Sequence, residues 1–216
     1  MAISFYINDF EIGDSMNPYI IAEIGVNHEG SLSLAKELID QAADAGKIAS
    51  KHSPAYWDTS KEPTESQFLL FQKYDGFEPE DYVELASYCK HKGIDFMSTP
   101  FDLEAVDFLA PLQPAFKIAS ADITNVPLIR KCAASGKPLI MSTGASTLPE
   151  IEFAVKTARE AGAVDIALLH CVLNYPTPIE YAQLGMIKTL QKIFPDCVIG
   201  YSDHVVPDAT ISALEA

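Results

Sequence analysis

Short apolar runs alternate with longer segments of helical periodicity from residue 19 onward. In Ser31–Ala45 and Leu148–Ala161 the apolar residues recur every three or four positions, which predicts amphipathic helices. Near-continuous apolar runs between such helices are typical of parallel strands buried on both faces. Six strands are predicted in this way: Tyr19–Gly25, Asp95–Phe101, Ala115–Ser120, Pro138–Gly144, Asp165–Cys171 and Cys197–His204.

Polar residues fall at the carboxyl end of nearly every predicted strand. An open doubly wound sheet concentrates its chemistry at one switch point, whereas a (β/α)8 barrel collects it from all of its strand ends. No G-x-G-x-x-G motif follows a strand, which weakens a dinucleotide-binding interpretation. The pattern favours an α/β fold of the TIM-barrel type. The strand-end residues are Glu23, Ser98, Thr99, Lys117, Ser120, Ser142, Thr143, His170, Ser202, Asp203 and His204.

The barrel pattern is incomplete. A second strand is due after Ala45-Gly46, but a polar, proline-containing segment follows, and the sequence stops at ISALEA within a predicted helix. Six strands cannot close an eight-stranded barrel, so we expect the second and eighth strands to be missing from this sequence. Residues 1–15 are predicted to be an N-terminal extension with a small strand pair, and residues 16–216 a partial barrel domain.

Composition narrows the class of protein. Of 216 residues 48% are hydrophobic, which argues for a packed core, and the net charge of −15 disfavours nucleic-acid or anionic membrane partners. The sequence shows neither a membrane-spanning run nor a secretion signal, so we expect a cytoplasmic protein. The four cysteines form no C-x-x-C pair, and we expect buried free thiols rather than a zinc ribbon or disulfides.

The first candidate site lies in AEIGVNHEGS, residues 22–31, where a predicted strand ends at Glu23. A carboxylate at the end of an apolar strand is costly without a partner, which favours a functional role. The alternative is a solvated loop in which Ser31 caps the next helix.

The second candidate is a cradle of hydroxyls around Lys117. Strand-end serines and threonines, together with one ammonium and loop amides, can hold a phosphate or a carboxylate. Each hydroxyl alone could equally cap a helix. Lys117 interrupts an apolar run and therefore needs a counter-charge, which could be Asp122, Glu23 or a substrate.

Two further motifs could take part. In YSDH, His204 beside Asp203 could ligate a divalent metal or move protons, or could simply be a hydrogen-bonded core histidine. In NYPTP, Asn174 and Tyr175 could hydrogen-bond a polyhydroxy substrate, or the prolines could only shape a turn. His170 is less persuasive as a ligand, and Cys171 lacks the basic partner of a nucleophile.

An ordered set of motifs along the chain resembles the sialic acid synthase (N-acetylneuraminate synthase) family. The motifs are AEIGVNHEGS, STPF, FKIAS, MSTGAS, LLHC…NYPTP and IGYSDH. Its relatives include legionaminic and pseudaminic acid synthases and a spore-coat polysaccharide synthase. The resemblance covers essentially the whole sequence.

The resemblance implies a (β/α)8 barrel followed by an antifreeze-like C-terminal domain, absent here, in a domain-swapped homodimer. It implies an enzyme that condenses phosphoenolpyruvate with an N-acyl amino sugar such as N-acetylmannosamine and releases phosphate. The implied cofactor is a divalent metal, Mn²⁺ or Mg²⁺, which polarises the sugar aldehyde.

The resemblance also implies roles for individual residues. Glu23 matches an acid near the reacting centre, Tyr175 a sugar contact and His204 one of two metal-ligating histidines. Asp122 stands where some members carry glutamate. The family's second strand, which supplies a further lysine, and its second histidine are not found in this sequence. The phosphoenolpyruvate-binding positions are matched by Thr99, Lys117, Ser120, Ser142 and Ser202.

Two other functions remain open. A TIM-barrel aldolase could use Lys117 as a Schiff-base nucleophile. A degenerate barrel could act only as a binding or scaffold subunit, for which the missing second strand is the sole support.

Overall fold

The computed structural model describes residues 3–13, 16–25, 27–45 and 76–205. The chain divides into two compact units. We call residues 20–96 the helical unit, and residues 1–19 with 97–216 the sheet unit.

The sheet unit begins with an antiparallel strand pair, β1 (Ser4–Ile7) and β2 (Phe10–Gly13). The turn between them is tight enough to put Asn8 at a φ of 50°, a conformation that asparagine tolerates better than most residues. Phe5, Ile7 and Ile12 bury their side chains. The strand pair predicted for the N-terminal extension is confirmed.

The helical unit contains α1 (Leu32–Ala45) and α2 (Pro79–Lys92). The periodicity of Ser31–Ala45 therefore predicted α1 correctly. Ala35, Ile39, Leu85 and Cys89 form the buried core between the two helices. Helix α2 starts with a capping box between Glu78 and Asp81 and ends at Gly93, whose φ of 74° suits glycine at a helix C-terminus.

Two of the six strand predictions are wrong, because neither Tyr19–Gly25 nor Asp95–Phe101 forms a strand. A strand needs a neighbouring backbone as well as apolar side chains. In the first segment Ile20 is exposed and Ile24 packs on the α1–α2 core instead. In the second, the Ser98 amide donates to Oε1 of the buried Gln113 (2.7 Å), so a side chain takes the place of a strand. The expected second barrel strand, after Ala45-Gly46, lies outside the described residues.

The main sheet has four parallel strands, which confirms the remaining strand predictions and the α/β class. Neighbouring strands in the sheet are also neighbours in the chain, with no reversal of order. This order fits a barrel better than a doubly wound sheet, although a closed barrel remains a prediction. The strands are β3 (Phe116–Ile118), β4 (Leu139–Ser142), β5 (Ile166–His170) and β6 (Val198–Tyr201), and the helices are α3 (Leu103–Leu109), α4 (Val126–Ala133), α5 (Leu148–Glu160) and α6 (Gly185–Ile193).

The two faces of the main sheet differ in character. Residues paired between parallel strands point to the same side of a sheet. One face carries fully buried apolar side chains, among them Phe116, Ile118, Leu139, Met141 and Leu168. The other face carries Lys117 and Ser142, and we call it the Lys117 face.

All four cysteines are buried free thiols, as predicted from their spacing. Burial raises the pKa of the Cys132 thiol to about 12, so it remains protonated at neutral pH. Within the described part of the chain, no helix combines the length and apolar character needed to cross a membrane.

Candidate active site

Lys117 lies in the middle of β3, flanked by two side chains that are 0% exposed, Phe116 and Ile118. Its own side chain is half-buried on the opposite face. The register pairs Lys117 with Ile140, and Ser142 follows two residues later on the same face of β4. The structure therefore brings the predicted lysine and one predicted serine to the same side of the sheet.

The end of β4 contains a buried hydroxyl that makes no hydrogen bond to the described residues. Ser142 is 4% exposed, and its Oγ has no hydrogen-bond partner among the described residues. The next residue differs, because Thr143 Oγ1 donates to the Leu169 carbonyl at 3.0 Å. A buried unsatisfied hydroxyl costs about 1–3 kcal/mol, so it calls for a partner such as a water molecule or a ligand. Of the groups in this state, which also include Gln113 Nε2 and Ser146 Oγ, Ser142 lies on the same face of the sheet as Lys117.

Gly144 brings the loop after β4 close to the end of β5. Its amide donates to Cys171 Sγ at 3.1 Å. A Cβ atom at this position would lie 2.8 Å from that sulfur and 3.2 Å from the Cys171 carbonyl oxygen. Glycine is therefore required by space, and the contact holds Ser142 and Thr143 against β5.

The end of β6 is densely hydrogen-bonded. The Ser202 amide donates to the His170 carbonyl at 2.8 Å, which continues the β5–β6 ladder by one step. Asp203 Oδ1 accepts from the Tyr201 hydroxyl at 3.0 Å and from the Val205 amide at 2.9 Å. Burial, with a further contribution from the Asp203 carboxylate, raises the pKa of Tyr201 above its ordinary value.

His204 is held in one tautomer by its neighbours. Its Nδ1 lies 2.7 Å from the Val172 carbonyl oxygen, which can only accept, so Nδ1 carries the proton. Nε2 is then the nitrogen with the lone pair, and the Ser202 hydroxyl lies 3.5 Å from it. The ring packs against Tyr175, with ring centroids 4.0 Å apart.

Asn174 and Tyr175 belong to the loop after β5 and are both exposed, Tyr175 by 60%. The Tyr175–Pro176 peptide bond is cis. Thr177 closes this loop, since its hydroxyl donates to the Asn174 carbonyl at 2.7 Å. The structure thus brings Tyr175 to His204, while the Asn174 side chain faces solvent.

The other predicted residues of the sheet unit lie in loops before or after β3. Ser120 opens a short 3-10 turn, Ser120–Asp122, and is half-buried. The Asp122 carboxylate accepts from the side chain of Asn125, the residue that caps α4. Thr99 is half-buried in the irregular segment that the Gln113 side chain supports through the neighbouring Ser98.

Glu23 belongs to the helical unit, and the expectation for its environment is wrong. It is exposed in a segment that forms no strand, so the argument from a buried strand end does not apply to it. In the same segment His28 stacks on Phe77, with ring centroids 4.3 Å apart, and accepts from the Gly30 amide. Desolvation lowers the pKa of His28.

His170 is a buried structural histidine, in agreement with the low weight given to it as a ligand. Its Nε2 lies 2.8 Å from the Ala182 carbonyl, to which it must donate. Its ring also stacks on Tyr201.

His204 has the chemistry of a metal ligand. A neutral imidazole whose Nδ1–H is bound to a carbonyl is the usual form of a metal-ligating histidine. In the described ranges, no three His, Cys, Asp or Glu side chains come together as a metal-binding group. His204 is therefore a single candidate ligand among the described residues, and a complete metal site is not formed by them.

Sequence reasoning missed the residues that support this site. Thr177 and Gly144 act through backbone contacts that no local pattern reveals, although the two prolines around Thr177 mark a constrained loop. The Val172 carbonyl, which fixes the His204 tautomer, has no signal in the sequence at all.

Comparison with known proteins identifies relatives along nearly the whole chain. The NeuB family model matches residues 39–215. An uncharacterized protein of Methanocaldococcus jannaschii is 44% identical over 93% of this chain and 59% of its own length. N,N'-diacetyllegionaminic acid synthase of Campylobacter jejuni is 40% identical over 86% of this chain and 60% of its own.

A solved structure agrees with the fold. The N-acetylneuraminic acid (sialic acid) synthetase of Leptospira borgpetersenii, in complex with citrate, superposes with a TM-score of 0.82 at 33% identity. The match covers 98% of this chain and 73% of that one. The chain spans about 60% of the length of the curated relatives above.

Proposed function

The chain belongs to the NeuB family, and from that premise we propose that the protein containing it is a nonulosonic acid synthase. It condenses phosphoenolpyruvate with an N-acyl amino sugar and releases phosphate. The relatives are named as synthases of legionaminic and sialic acids, which supports this class of product.

The observation that carries the proposal is the Lys117 face. It joins a cationic side chain to Ser142, a buried hydroxyl without a partner among the described residues. An anion near Lys117 would satisfy that hydroxyl and supply negative charge beside the ammonium. Phosphoenolpyruvate carries both a phosphate and a carboxylate, so it matches this chemistry.

In the proposed reaction, C3 of phosphoenolpyruvate attacks the aldehyde carbon of the open-chain sugar, and the new C–C bond forms. Water then adds at C2, and the C–O bond to phosphate breaks to release inorganic phosphate. Lys117, Ser142 and Ser202 bind and orient the anionic substrate, with Thr99 and Ser120 as further candidates. Glu23 and Asp122 remain candidates for proton transfer.

His204 would hold a divalent cation, Mn²⁺ or Mg²⁺, through Nε2. When bound, the cation supplies Lewis-acid polarisation of the sugar carbonyl. Tyr175 packs on His204, and both Tyr175 and the exposed Asn174 would contact the sugar.

The test is phosphate release from phosphoenolpyruvate by the full-length protein with Mn²⁺. It is run with N-acetylmannosamine and with an N-acylated diamino sugar, and with a chelator as control. We expect release that depends on one of the sugars and stops with the chelator. Phosphate release that needs no sugar, or the lack of any release with either sugar, would contradict the proposal.

Two lysine variants sharpen that test. Lys117→Met should reduce the rate by about 10²–10³-fold, since it removes the fixed positive charge that would bind the anionic substrate. Lys131→Met is the matched control, because Lys131 pairs with Asp107 on the surface and should leave the rate unchanged. Trapping of Lys117 by borohydride in the presence of substrate would instead support the Schiff-base aldolase.

A further inference from the structure

The loops after β5 and β6 rejoin beyond the ends of their strands. Thr177 and Val205 form a parallel bridge, and the Thr177 amide donates to the His204 carbonyl at 2.7 Å. On the strand side, the Ser202 amide donates to the His170 carbonyl. Between these two ties the β5 side makes an excursion over residues 171–176, while the β6 side has only Asp203 and His204. We call the excursion and its two ties the bracket.

The bracket makes three contacts with His204. Val172 accepts from Nδ1 at 2.7 Å, the Tyr175 ring packs on the imidazole, and Thr177 binds the backbone carbonyl. Together these contacts fix the backbone, the ring orientation and the tautomer of one residue. Two of them come from the excursion and the third from Thr177 at its end, so the shape of the excursion decides where Nε2 lies.

Thr177 is the residue that sets this shape. It is 2% exposed, and it makes two ties from one position: the parallel bridge to Val205, which includes the amide bond to the His204 carbonyl, and the hydroxyl bond to the Asn174 carbonyl. The hydroxyl bond spans three residues and closes the loop that carries Asn174 and Tyr175. A residue that closes this loop also fixes the distance between Val172 and His204.

We propose that Thr177 is a positioning residue, which holds the loop after β5 so that His204 keeps its Nδ1–H tautomer and presents Nε2 to a divalent cation. This inference rests on the proposed function for the role of the cation. The tautomer itself is a property of the protein without metal.

The experiment compares Thr177→Val with Thr177→Ser in the full-length protein. Valine keeps the volume but removes the hydroxyl, whereas serine keeps the hydroxyl. Thr157→Val is the matched control, since Thr157 is equally buried but lies on α5. The first readout is ¹⁵N correlation spectroscopy of the histidine rings without metal at about pH 8, where an ordinary imidazole is neutral. The His204 signal is assigned by its loss in His204→Gln.

We expect the Nδ1–H tautomer in the wild-type protein, in Thr177→Ser and in Thr157→Val, and a mixture of both tautomers in Thr177→Val. Mn²⁺ affinity, measured with Mn²⁺ alone by electron paramagnetic resonance, should fall about tenfold in Thr177→Val and recover in Thr177→Ser. Unfolding by urea shows whether the two valine variants lose comparable stability.

Three results would overturn the inference. The first is an Nε2–H tautomer in the wild-type protein, which needs no variant to fold. The second is a Thr177→Val protein that keeps the wild-type tautomer, and the third is a Thr177→Ser protein that fails to restore it. If the wild-type protein bound no Mn²⁺, the proposed metal role would fail, while the tautomer comparison would still decide whether Thr177 positions His204.

Discussion

The ends of β4 and β6 flank the end of β5, and they satisfy their polar groups in different ways. At the end of β6, Tyr201, Asp203 and His204 all bind other groups of the protein. At the end of β4, Ser142 keeps a buried hydroxyl with no partner in the described part of the chain. Both ends lie in the same unit and continue the same sheet, so the difference is local.

The difference indicates two ways of preparing a site. The end of β6 is built in advance, because protein contacts fix the ring that would meet a cation. The end of β4 is left incomplete at a cost in stability, and an incoming anion would complete it. Binding sites often reduce stability in this way, since groups reserved for a ligand are unsatisfied without it. Loss of the Ser142 hydroxyl at the end of β4 should therefore weaken substrate binding with little loss of stability. Loss of a protein hydrogen bond at the end of β6 should reduce stability.

The largest effect is expected from His204→Gln. It removes the ring that the bracket holds, and with it the proposed metal ligand. Residues that merely orient a metal ligand contribute 10–100-fold to metal affinity, so loss of the ligand itself should reduce the condensation rate by more than about 100-fold. The rate is measured as sugar-dependent phosphate release at saturating Mn²⁺. His91→Gln, an exposed change on α2, is the control, and equal rates in both variants would refute a role for His204.

Gly144→Ala should cause the next largest effect, because the added Cβ atom crowds the contact between the ends of β4 and β5. The added Cβ would meet Cys171 Sγ at 2.8 Å and the Cys171 carbonyl oxygen at 3.2 Å. Overpacking of this kind costs about 1–3 kcal/mol of unfolding free energy, measured by urea denaturation. Gly185→Ala at the start of α6 meets no atom within 4 Å and should cost nothing. The added substitution Cys171→Ala should restore only part of the loss, because the carbonyl oxygen remains.

Ser142→Ala tests the incomplete end directly. It removes a hydroxyl that makes no hydrogen bond to the described residues, so the unfolding free energy should stay the same or rise by about 1 kcal/mol. The KM for phosphoenolpyruvate should rise about tenfold, the value of one hydrogen bond to a charged ligand.

Thr143→Val is the matched change, since its hydroxyl binds the Leu169 carbonyl. It should lose about 1 kcal/mol of stability and leave that KM nearly unchanged. The distinction between the two residues would collapse if Ser142→Ala destabilised the protein as much as Thr143→Val does.

The sequence predicts the elements better than it predicts the contacts. Strands β3–β6 follow from near-continuous apolar runs, and Lys117 is conspicuous because it interrupts one of them. Tyr19–Gly25 has the same apolar character, yet it forms no strand because its apolar side chains pack on helices or face solvent. Hydropathy reports a tendency to be buried, whereas a strand also requires a neighbouring backbone.

The chemistry of the site follows the same division. The strand-end position of Ser142, Ser202 and His204 can be inferred from sequence, because parallel strands expose their carboxyl ends together. The tautomer of His204 cannot be inferred, since it depends on the Val172 carbonyl 32 residues earlier in the chain. That Ser142 has no hydrogen-bond partner among the described residues cannot be inferred either, because the neighbouring Thr143 has the same functional group and a partner.

The smallest effect is expected from Tyr201→Phe, and it depends on pH. The folded protein raises the pKa of Tyr201, chiefly by burial and further through the Asp203 carboxylate, which accepts a hydrogen bond from its hydroxyl. A raised pKa stabilises the fold at pH values below the unfolded pKa, about 10, and that stabilisation is lost as the pH rises through the folded pKa.

Urea denaturation at neutral pH should therefore show a loss of about 1 kcal/mol for Tyr201→Phe, the value of one hydrogen bond. Above about pH 10 the wild-type protein should lose its advantage over the variant, because unfolding then lets the tyrosine ionise. A difference that stayed constant across this range would mean that folding does not raise the pKa of Tyr201, against both its burial and its hydrogen bond to Asp203.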